Sequence, residues 1–392
     1  MTKWVTKKLG EIASLQGGFA FQSKDFADDG IPLIRIGDIT AKGLNTNNSA
    51  KLPSYFLDEH TEFALKADDT IIAMSGATVG KCTLVTEKDI PALLNQRVGR
   101  FKVKNCIDKK FVYYTVSNYS YQQKLLLDAI GGAQPNVSPR QIESVLCPIP
   151  IKADGTPDLA EQKRIAGILS SADGAIAASE ALIEKYRNIK RGLLATLLQP
   201  KEGWKKVKLG ECLTRLCNGL TYDVEEKSGY MVTRIETISN DDIDYNRVGH
   251  IRTLPKQEYR IQKGDILFSH INSVKHIGKV AYFDDEQELY HGMNLLLMRF
   301  HESCDSKFFF YMLSSEKVRK RMRSLAKSAV NQASINTTEL HNFTISYPES
   351  LAEQHRIAEI LSSVDAKIAA EEKVVEKYKG VKKGLMEEFM KY

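Results

Sequence analysis

The sequence predicts an α+β protein with a pseudo-twofold internal duplication: two β-rich domains joined by two long antiparallel coiled-coil helices. Three observations lead there. The phrase LAEQKRIAGILSSADGAIAASEALIEKYRNIKRGLLATLL at 159–198 returns at 351–390, and 22 of its 40 positions are identical. Each copy follows roughly 150 residues, so a globular module and a long repeated segment alternate twice. Within the modules, short β-branched runs lie between Gly, Asn and Asp turns, the pattern of strands.

The modules are expected at 1–157 and 200–349, and their elements recur in order. Trp4-Val5-Thr6-Lys7-Lys8-Leu9-Gly10-Glu11 is echoed by Trp204-Lys205-Lys206-Val207-Lys208-Leu209-Gly210-Glu211. Ile34-Arg35-Ile36 matches Thr233-Arg234-Ile235, and both read as strands. Asp69-Thr70-Ile71-Ile72 returns as Asp265-Ile266-Leu267-Phe268, each followed by a polar loop ending in Gly80-Lys81 or Gly278-Lys279. Asn95 to Phe101 aligns with Asn294 to Phe300. The longer aromatic segments 111–127 and 308–326 read as helices.

The repeated phrases are expected as helices at 158–199 and 350–392. Apolar residues recur at steps of four and three: Ile165, Leu169, Ala172, Ile176, Ile183, Tyr186, Leu193 and Leu197 in the first copy, and Ile357, Leu361, Val364, Ile368, Val375, Tyr378, Leu385 and Phe389 in the second. That is a heptad seam with no proline in it. Asp158 and Ser350 stand three residues before Glu161 and Glu353, the spacing of a capping box. Ser179 and Glu371, and Lys190 and Lys382, interrupt the seam at matching places. Such residues either fix register and orientation or reach solvent at the edge of the pair. A rod of about 40 residues is roughly 60 Å long. Antiparallel pairing would hold two similar modules at a fixed separation, as symmetric DNA readers need for half-sites about 34–36 Å or a multiple apart.

The net charge of +6 is spread as +3, +1, +2 and 0 over the four segments, a mildly basic balance. One local run is stronger: Lys317, Arg319, Lys320, Arg321, Arg323 and Lys327, with Met312, Val318, Met322 and Leu325 on the other face. It reads as a solvated face, a phosphate contact or a partner surface. The polar, lysine-rich start and the absence of a run near 18 apolar residues predict neither signal peptide nor membrane span. Six scattered cysteines without CxxC spacing fit a reducing cytoplasm. Gly76-Ala77-Thr78-Val79-Gly80-Lys81-Cys82 is one residue short of a P-loop and puts Cys82 where the magnesium-binding hydroxyl belongs. There is no GxGxxG entering a helix, no HExxH, no GxSxG and no Asn/Asp-Pro-Pro-Tyr/Phe tetrapeptide. No catalytic residue and no metal ligand set is expected.

The order of these motifs carries a resemblance. A Trp-Lys-Leu-Gly-like opening, the stretch Ile34 to Ile39 (IRIGDI), the DxIIAxSGAxVGK loop at Asp69 to Lys81, the GGAQPNVS turn at Gly131 to Ser138 and the LAEQ(K/H)RIAxILSSxD helix follow one another, and the plan then repeats. The chain resembles, over essentially its whole length, the specificity subunit of a type I restriction–modification system. The second module departs from the pattern at Ser269 to Gly278 and at Val330 to Asn336. The resemblance implies a cytoplasmic subunit that binds no cofactor and does no chemistry. It implies two target-recognition domains, each reading half of a bipartite, non-palindromic site in double-stranded DNA, with the paired helices as the ruler between them. The implied partners are two methyltransferase subunits using S-adenosylmethionine and motor-nuclease restriction subunits using ATP and Mg.

Base readout needs donors and acceptors on exposed loops. In the first module the candidates are Gln22, Ser23, Lys24, Ser75, Thr78, Lys81, Asn95, Gln96, Arg97, Gln134 and Asn136. In the second they are Tyr222, His270, Asn272, Ser273, Lys275, His276, Lys279, Asn294, Asn331 and Gln332. The polar loop before each Gly-Lys pair is the first choice. Arg35 and Arg234 are as readily core or sheet-surface arginines as DNA contacts. Two other classes of function compete: a DNA-modifying enzyme with its own site, and a protein-only adaptor whose helices recruit clients.

Overall fold

The computed structural model describes residues 3–40, 42–128, 136–222, 228–238, 241–273, 276–329 and 332–390. It divides into two compact units, Met1–Glu180 with Lys373–Tyr392, and Ala181–Glu372. Each holds one β-rich module and a stretch of both long helices.

Each module is built on a four-stranded antiparallel sheet. In the first, β1 (Ala13–Gly17), β2 (Thr70–Ala73), β3 (Cys82–Leu84) and β4 (Val98–Val103) lie in the order β1-β4-β2-β3. In the second, β5 (Leu213–Asn218), β6 (Ile266–Phe268), β7 (Val280–Tyr282) and β8 (Leu296–Phe300) lie in the matching order β5-β8-β6-β7. The inner strands β2 and β6 are apolar but for Thr70 because both faces are covered. Alternation sends Ile72 into a core with Leu9, Val112 and Tyr121, and sends Ile71 and Ala73 into another with Ile34 and Val85. Ile266 and Phe268 are split from Leu267 in the same way. The Trp-Lys-Leu-Gly-like openings form a two-stranded ribbon in each module, Lys3–Lys8 with Leu146–Ile151 and Trp204–Lys208 with Thr344–Pro348.

Two expectations change here. The strand Ile31–Ile34 ends before Arg35, whose N–H donates to Asp38 Oδ2 (2.7 Å) at the start of a short 3-10 turn. Arg234 sits in the matching turn, its N–H donating to Thr237 Oγ1 (2.9 Å). Neither arginine lies in a strand, because a side-chain oxygen three residues on offers its N–H a local partner. The aromatic segments are also not single helices. The first breaks at Asn118 into Lys109–Ser117 and Tyr119–Asp128, and the second at Ser315 into Ser306–Ser314 and Glu316–Arg323. Asn118 and Ser315 take extended backbone angles, and the Asn118 carboxamide caps the following turn by accepting from Ser120 N–H (2.8 Å).

The long helices are Leu159–Leu197 and Leu351–Phe389. Their starts are fixed in the same way. Asp158 Oδ1 accepts from Glu161 N–H (3.2 Å), and Ser350 Oγ from Glu353 N–H (3.4 Å). The repeated glutamine is wholly buried: Gln162 Oε1 accepts from Asp108 N–H (2.9 Å), and Gln354 Oε1 from Asp305 N–H (2.8 Å). Asp108 and Asp305 in turn cap the module helices at Phe111 and Phe308. One side chain thus locks the start of a long helix to the cap of the helix it packs on.

Within each unit the two long helices run antiparallel. In the first, Arg164 lies over Phe389, Asp173 pairs with Lys382 and Glu180 with Lys379. In the second, Lys190 pairs with Asp365 and Arg187 with Glu372. Ile165, Ala166 and Leu169 pack with Phe111, Tyr114, Leu385 and Phe389. Ile357, Ala358 and Leu361 pack with Phe308, Tyr311, Leu193 and Leu197. Truncating one such leucine to alanine costs about 2–5 kcal/mol. Ile189, off the seam, stays exposed.

The lysines that interrupt the seam are bound. Lys382 Nζ meets Asp173 Oδ1 (2.5 Å), whose Oδ2 accepts from Tyr114 O–H (2.8 Å), and the ammonium lies 5.4 Å from the Tyr114 ring centroid. Lys190, Asp365 and Tyr311 repeat this at 2.5, 2.8 and 5.4 Å. Burial first, and then the aspartate's charge, hold the Tyr114 phenol well above its ordinary range.

The hydropathy expectation needs one correction. An 18-residue window of Leu159–Leu197 reaches a mean hydropathy of 1.2, enough by length and composition to cross a membrane. Its alanines and isoleucines serve the seam, and Asp173 inside the same helix is paired with Lys382.

Replacing Lys382 or Lys190 by alanine should lower stability by about 1–2 kcal/mol, the range of a charged hydrogen bond discounted for partial exposure. Denaturant midpoints of the two variants test this; unchanged midpoints would leave the lysines as solvated edge residues.

Candidate functional site

At one end of the first sheet, where β2 ends and β4 begins, four backbone segments are tied together. Phe19 N–H donates to Leu94 O (3.0 Å) and Gln96 N–H to Phe19 O (2.9 Å). Met74 N–H donates to Arg97 O (3.0 Å), and Val137 N–H to Met74 O (2.9 Å), beside a bridge between Ser75 and Asn136. Gly18 permits the approach, since a Cβ there would lie 2.3 Å from Leu94 O. Gly80, at φ +83°, closes the hairpin by donating to Ala73 O (2.9 Å), with Lys81 exposed just beyond.

The second sheet carries the same knot. Leu220 N–H donates to His291 O, Met293 N–H to Leu220 O and Ile335 N–H to His270 O, each at 2.9 Å. A Cβ at Gly219 would lie 2.2 Å from His291 O, and Gly278, at φ +81°, donates to Ser269 O (2.8 Å). Ile271–Asn272 pairs with Gln332–Ser334, which pairs with Lys327–Ala329. A small sheet therefore stands where the described residues of the first module show the Ser75–Asn136 bridge.

Most candidates fall on these segments, with different exposure. Lys81, Gln96, Arg97 and Asn136 are exposed. Asn95 is half-buried and braces the turn by accepting from Arg97 N–H (3.3 Å). Thr78 Oγ1 donates to Ile36 O (3.4 Å), and Ser75 Oγ is buried without a partner. Gln22, Ser23 and Lys24 are exposed but form a separate turn, closed by Gln22 N–H to Asp25 Oδ2 (2.9 Å). In the second module Ser273 is exposed, and His276 and Lys279 are half-buried. Asn272 is used internally: its Nδ2 donates to Ser269 Oγ (3.2 Å) and its Oδ1 accepts from Ser273 N–H (2.8 Å). Tyr222 donates to Thr233 O (3.4 Å), its ring against Gly292. Gln134, Lys275 and Asn331 lie outside the described residues, as does the side chain of Gln332.

Two sequence-based placements are corrected. His270 does not present its ring to solvent: it is 5% exposed, in the position of Met74, and His291 is 1% exposed in the position of Leu94. His291 Nε2 meets Leu295 O (3.0 Å), while both Nδ1 atoms lack partners. Burial pushes each imidazole down to about 4. The alignment of Asn95 with Asn294 also shifts. Asn95 bridges Phe19 as Gly292 bridges Leu220, and the strand register keeps that offset, so Arg100 corresponds to Leu297 and Lys102 to Arg299. Asn294, in the position of Arg97, takes the left-handed turn at φ +71°.

The basic helix of the second module is largely committed locally. Arg319 binds Asp241 (3.1 Å), Arg321 donates to Thr344 O (2.8 Å) over the Phe343 ring, and Arg323 meets Glu316 (3.3 Å). Lys317 and Lys320 are exposed, and the Lys327 side chain is outside the described residues. An aromatic cluster was missed by sequence reasoning. Phe19, 38% exposed and bridged to Asn95, lies 4.3 Å from the His60 ring and 4.9 Å from Phe21. Its only signal was the Gly17-Gly18-Phe19-Ala20-Phe21 run, which reads as a plain turn.

Comparison with known proteins matches the model of the type I restriction modification DNA specificity domain twice, over residues 1–186 and 201–377. The chain is 42% identical over 191 residues to a putative type I restriction enzyme MjaX specificity subunit of Methanocaldococcus jannaschii, covering 47% of this chain and 45% of that one. It is 24% identical to the type I restriction enzyme EcoBI specificity subunit of Escherichia coli, over 90% of this chain and 77% of that one. It spans about half the length of the M. jannaschii relatives it matches. Its fold matches the type I restriction-modification S subunit from M. genitalium with a TM-score of 0.66 at 15% identity, over 99% of this chain and 96% of that one.

The buried histidines give a pH test. Unfolded, they titrate near 6.5; folded, near 4. Between those values the unfolded chain binds more protons, so stability falls as pH drops from 6.5 towards 4, and the two rings contribute no pH dependence above that window. The loss should be on the order of a few kcal/mol. His270→Met with His291→Leu, copying Met74 and Leu94, should flatten this limb in unfolding measured across the window; an unchanged limb would assign it to other groups.

Proposed function

The chain belongs to the family of type I restriction modification DNA specificity domains, of which it carries two copies, and from that premise we propose that it is the non-catalytic DNA-reading subunit of a type I complex. One observation carries this reading. The same backbone knot is built twice at the end of equivalent sheets, while the side chains it holds differ between the copies. A frame kept constant around variable donors and acceptors suits two readers of different half-sequences.

In this reading the first module reads its half-site with the loops at 75–81, 95–97 and 136–138. Gln96 and Arg97 are the foremost base contacts and Lys81 a phosphate contact. The second module uses Ser273, His276, Lys279 and the turn at Asn294, with Asn272 shaping the loop. The expected target is bipartite and non-palindromic. The paired helices act as the ruler across the unread gap, and their repeated surfaces offer two methyltransferase subunits equivalent docking places. S-adenosylmethionine, ATP and Mg belong to the methyltransferase and motor-nuclease partners. Methylome sequencing of a host expressing the chain with its methyltransferase tests the whole: a split site with two different halves supports it, and one continuous site overturns it.

Two predictions sharpen that test. Arg97→Ala should cost roughly 1–3 kcal/mol of specific binding if it contacts a base, and should relax only one half-sequence. A loss uniform over all DNA would make it a phosphate contact. Inserting four residues within 176–190 adds about 6 Å of helix, close to two base-pair steps. The methylome should then show a longer gap and unchanged halves; altered bases would assign the helices to the reading surface.

A further inference from the structure

At the other end of the first sheet, away from the knotted loops, β2 begins and β4 ends around a cavity of about 330 Å³. Lys66, Lys102 and Lys109 line it together with Arg100, Asp69 and Glu62. Arg100 is 3% exposed. Its terminal nitrogens donate to Ala64 O (2.6 Å), Asp69 Oδ2 (3.1 Å), Gln16 Oε1 (2.6 Å) and Glu62 O (2.5 Å), and its Nε is buried without a partner. Lys109 Nζ stands 3.8 Å from Asp69 Oδ1, at the first position of the helix Lys109–Ser117. Burial, and next the charge of Arg100, hold the Lys102 ammonium below its ordinary range; Lys66 and Lys109 add to the effect and Asp69 opposes it.

The duplicated module supplies the internal control. Asp265 also holds an arginine, Arg299, in a two-pronged bond at 2.8 and 2.7 Å, but this arginine is half-buried. By the shared hydrogen bond to that aspartate, the strand register and the helix cap, Lys66, Lys102 and Lys109 correspond to Gln262, Arg299 and Ser306, and Arg100 to Leu297. At these positions the second module thus builds the same sheet end with one cation, Arg299, where the first has Arg100, Lys66, Lys102 and Lys109. Where the lysines are absent that arginine closes on its aspartate; where they are present one carboxylate is shared between Arg100 and Lys109.

We propose that this cavity is a binding site for a phosphate-class oxyanion, specific to the first module and separate from its reading loops. Three ammonium groups on three different segments converge on it at the positive end of a helix, and the nearby carboxylates leave them in excess. The anion is either free phosphate or a backbone phosphate of DNA that runs past this end of the module.

The test uses the full chain and inorganic phosphate, titrated by calorimetry against chloride at matched ionic strength. The wild type should bind, and the Lys66→Gln, Lys102→Gln, Lys109→Gln variant should bind at least about tenfold more weakly. The three side chains are exposed, so the core is untouched; should the triple variant fail to fold, Lys102→Gln alone gives the same comparison. Random-sequence duplex separates the sources. If phosphate competes with duplex for the wild type and not for the variant, the anion is a DNA phosphate. If duplex binding is equal in both while phosphate binding differs, it is free phosphate. Phosphate binding equal in wild type and variant, or absent from both, overturns the site.

Discussion

Each long helix carries an aspartate held from two sides, by a tyrosine of the module it leaves and by a lysine of the antiparallel helix. Asp173 with Tyr114 and Lys382, and Asp365 with Tyr311 and Lys190, are the same three-body contact built twice. Much else depends on it. A heptad seam of Ile, Leu and Ala tolerates sliding by a turn, because one apolar knob replaces another at small cost. A lysine left facing a tyrosine ring without its aspartate does not. The charge therefore selects one register, and the buried Gln162 and Gln354 orient each helix against its module.

The knotted loops can vary without risk to the fold. Their positions are set by main-chain hydrogen bonds and by glycines that let two backbones touch at Gly18 and Gly219. Neither device uses a side chain that must change when the loops change chemistry. The two copies show how far this goes. One knot is lined by Met74 and Leu94, the other by His270 and His291, and the hairpin from Ser269 to Gly278 is two residues longer than that from Ala73 to Gly80, yet most of the hydrogen bonds recur. The second copy carries a cost: two buried rings with unpartnered nitrogens.

The duplicated helix and strand plan were legible because they rest on periodicity and repetition, which a single sequence displays directly. The capping signals and the Gly-Lys hairpins were legible for the same reason. What failed was local competition. Arg35 and Arg234 left their strands because a polar side chain three residues away outbid the ladder, and Asn118 and Ser315 broke helices whose apolar pattern ran straight through. His270 was read as a surface donor because histidine is polar, whereas the sheet register puts its position in the core. Phe19 and the Arg100 cavity were illegible because they join segments 31 or more residues apart, and only the fold brings those together.

The first unit is composed of residues 1–180 and 373–392. Phe111 and Tyr114 share their cluster with Leu385, Phe389 and Met390, and Thr115 Oγ1 reaches the Met390 sulfur at 3.9 Å. On the ribosome the module made first therefore waits for residues made nearly two hundred codons later. Until they emerge, the side of this cluster that Leu385 and Phe389 cover has no partner, at the stage when nascent chains are most prone to aggregation and capture by chaperones. The second module has no such delay, since Leu193 and Leu197 precede it and Ile357 and Leu361 follow at once. Vectorial synthesis thus breaks the symmetry that duplication created: the half begun first is completed last.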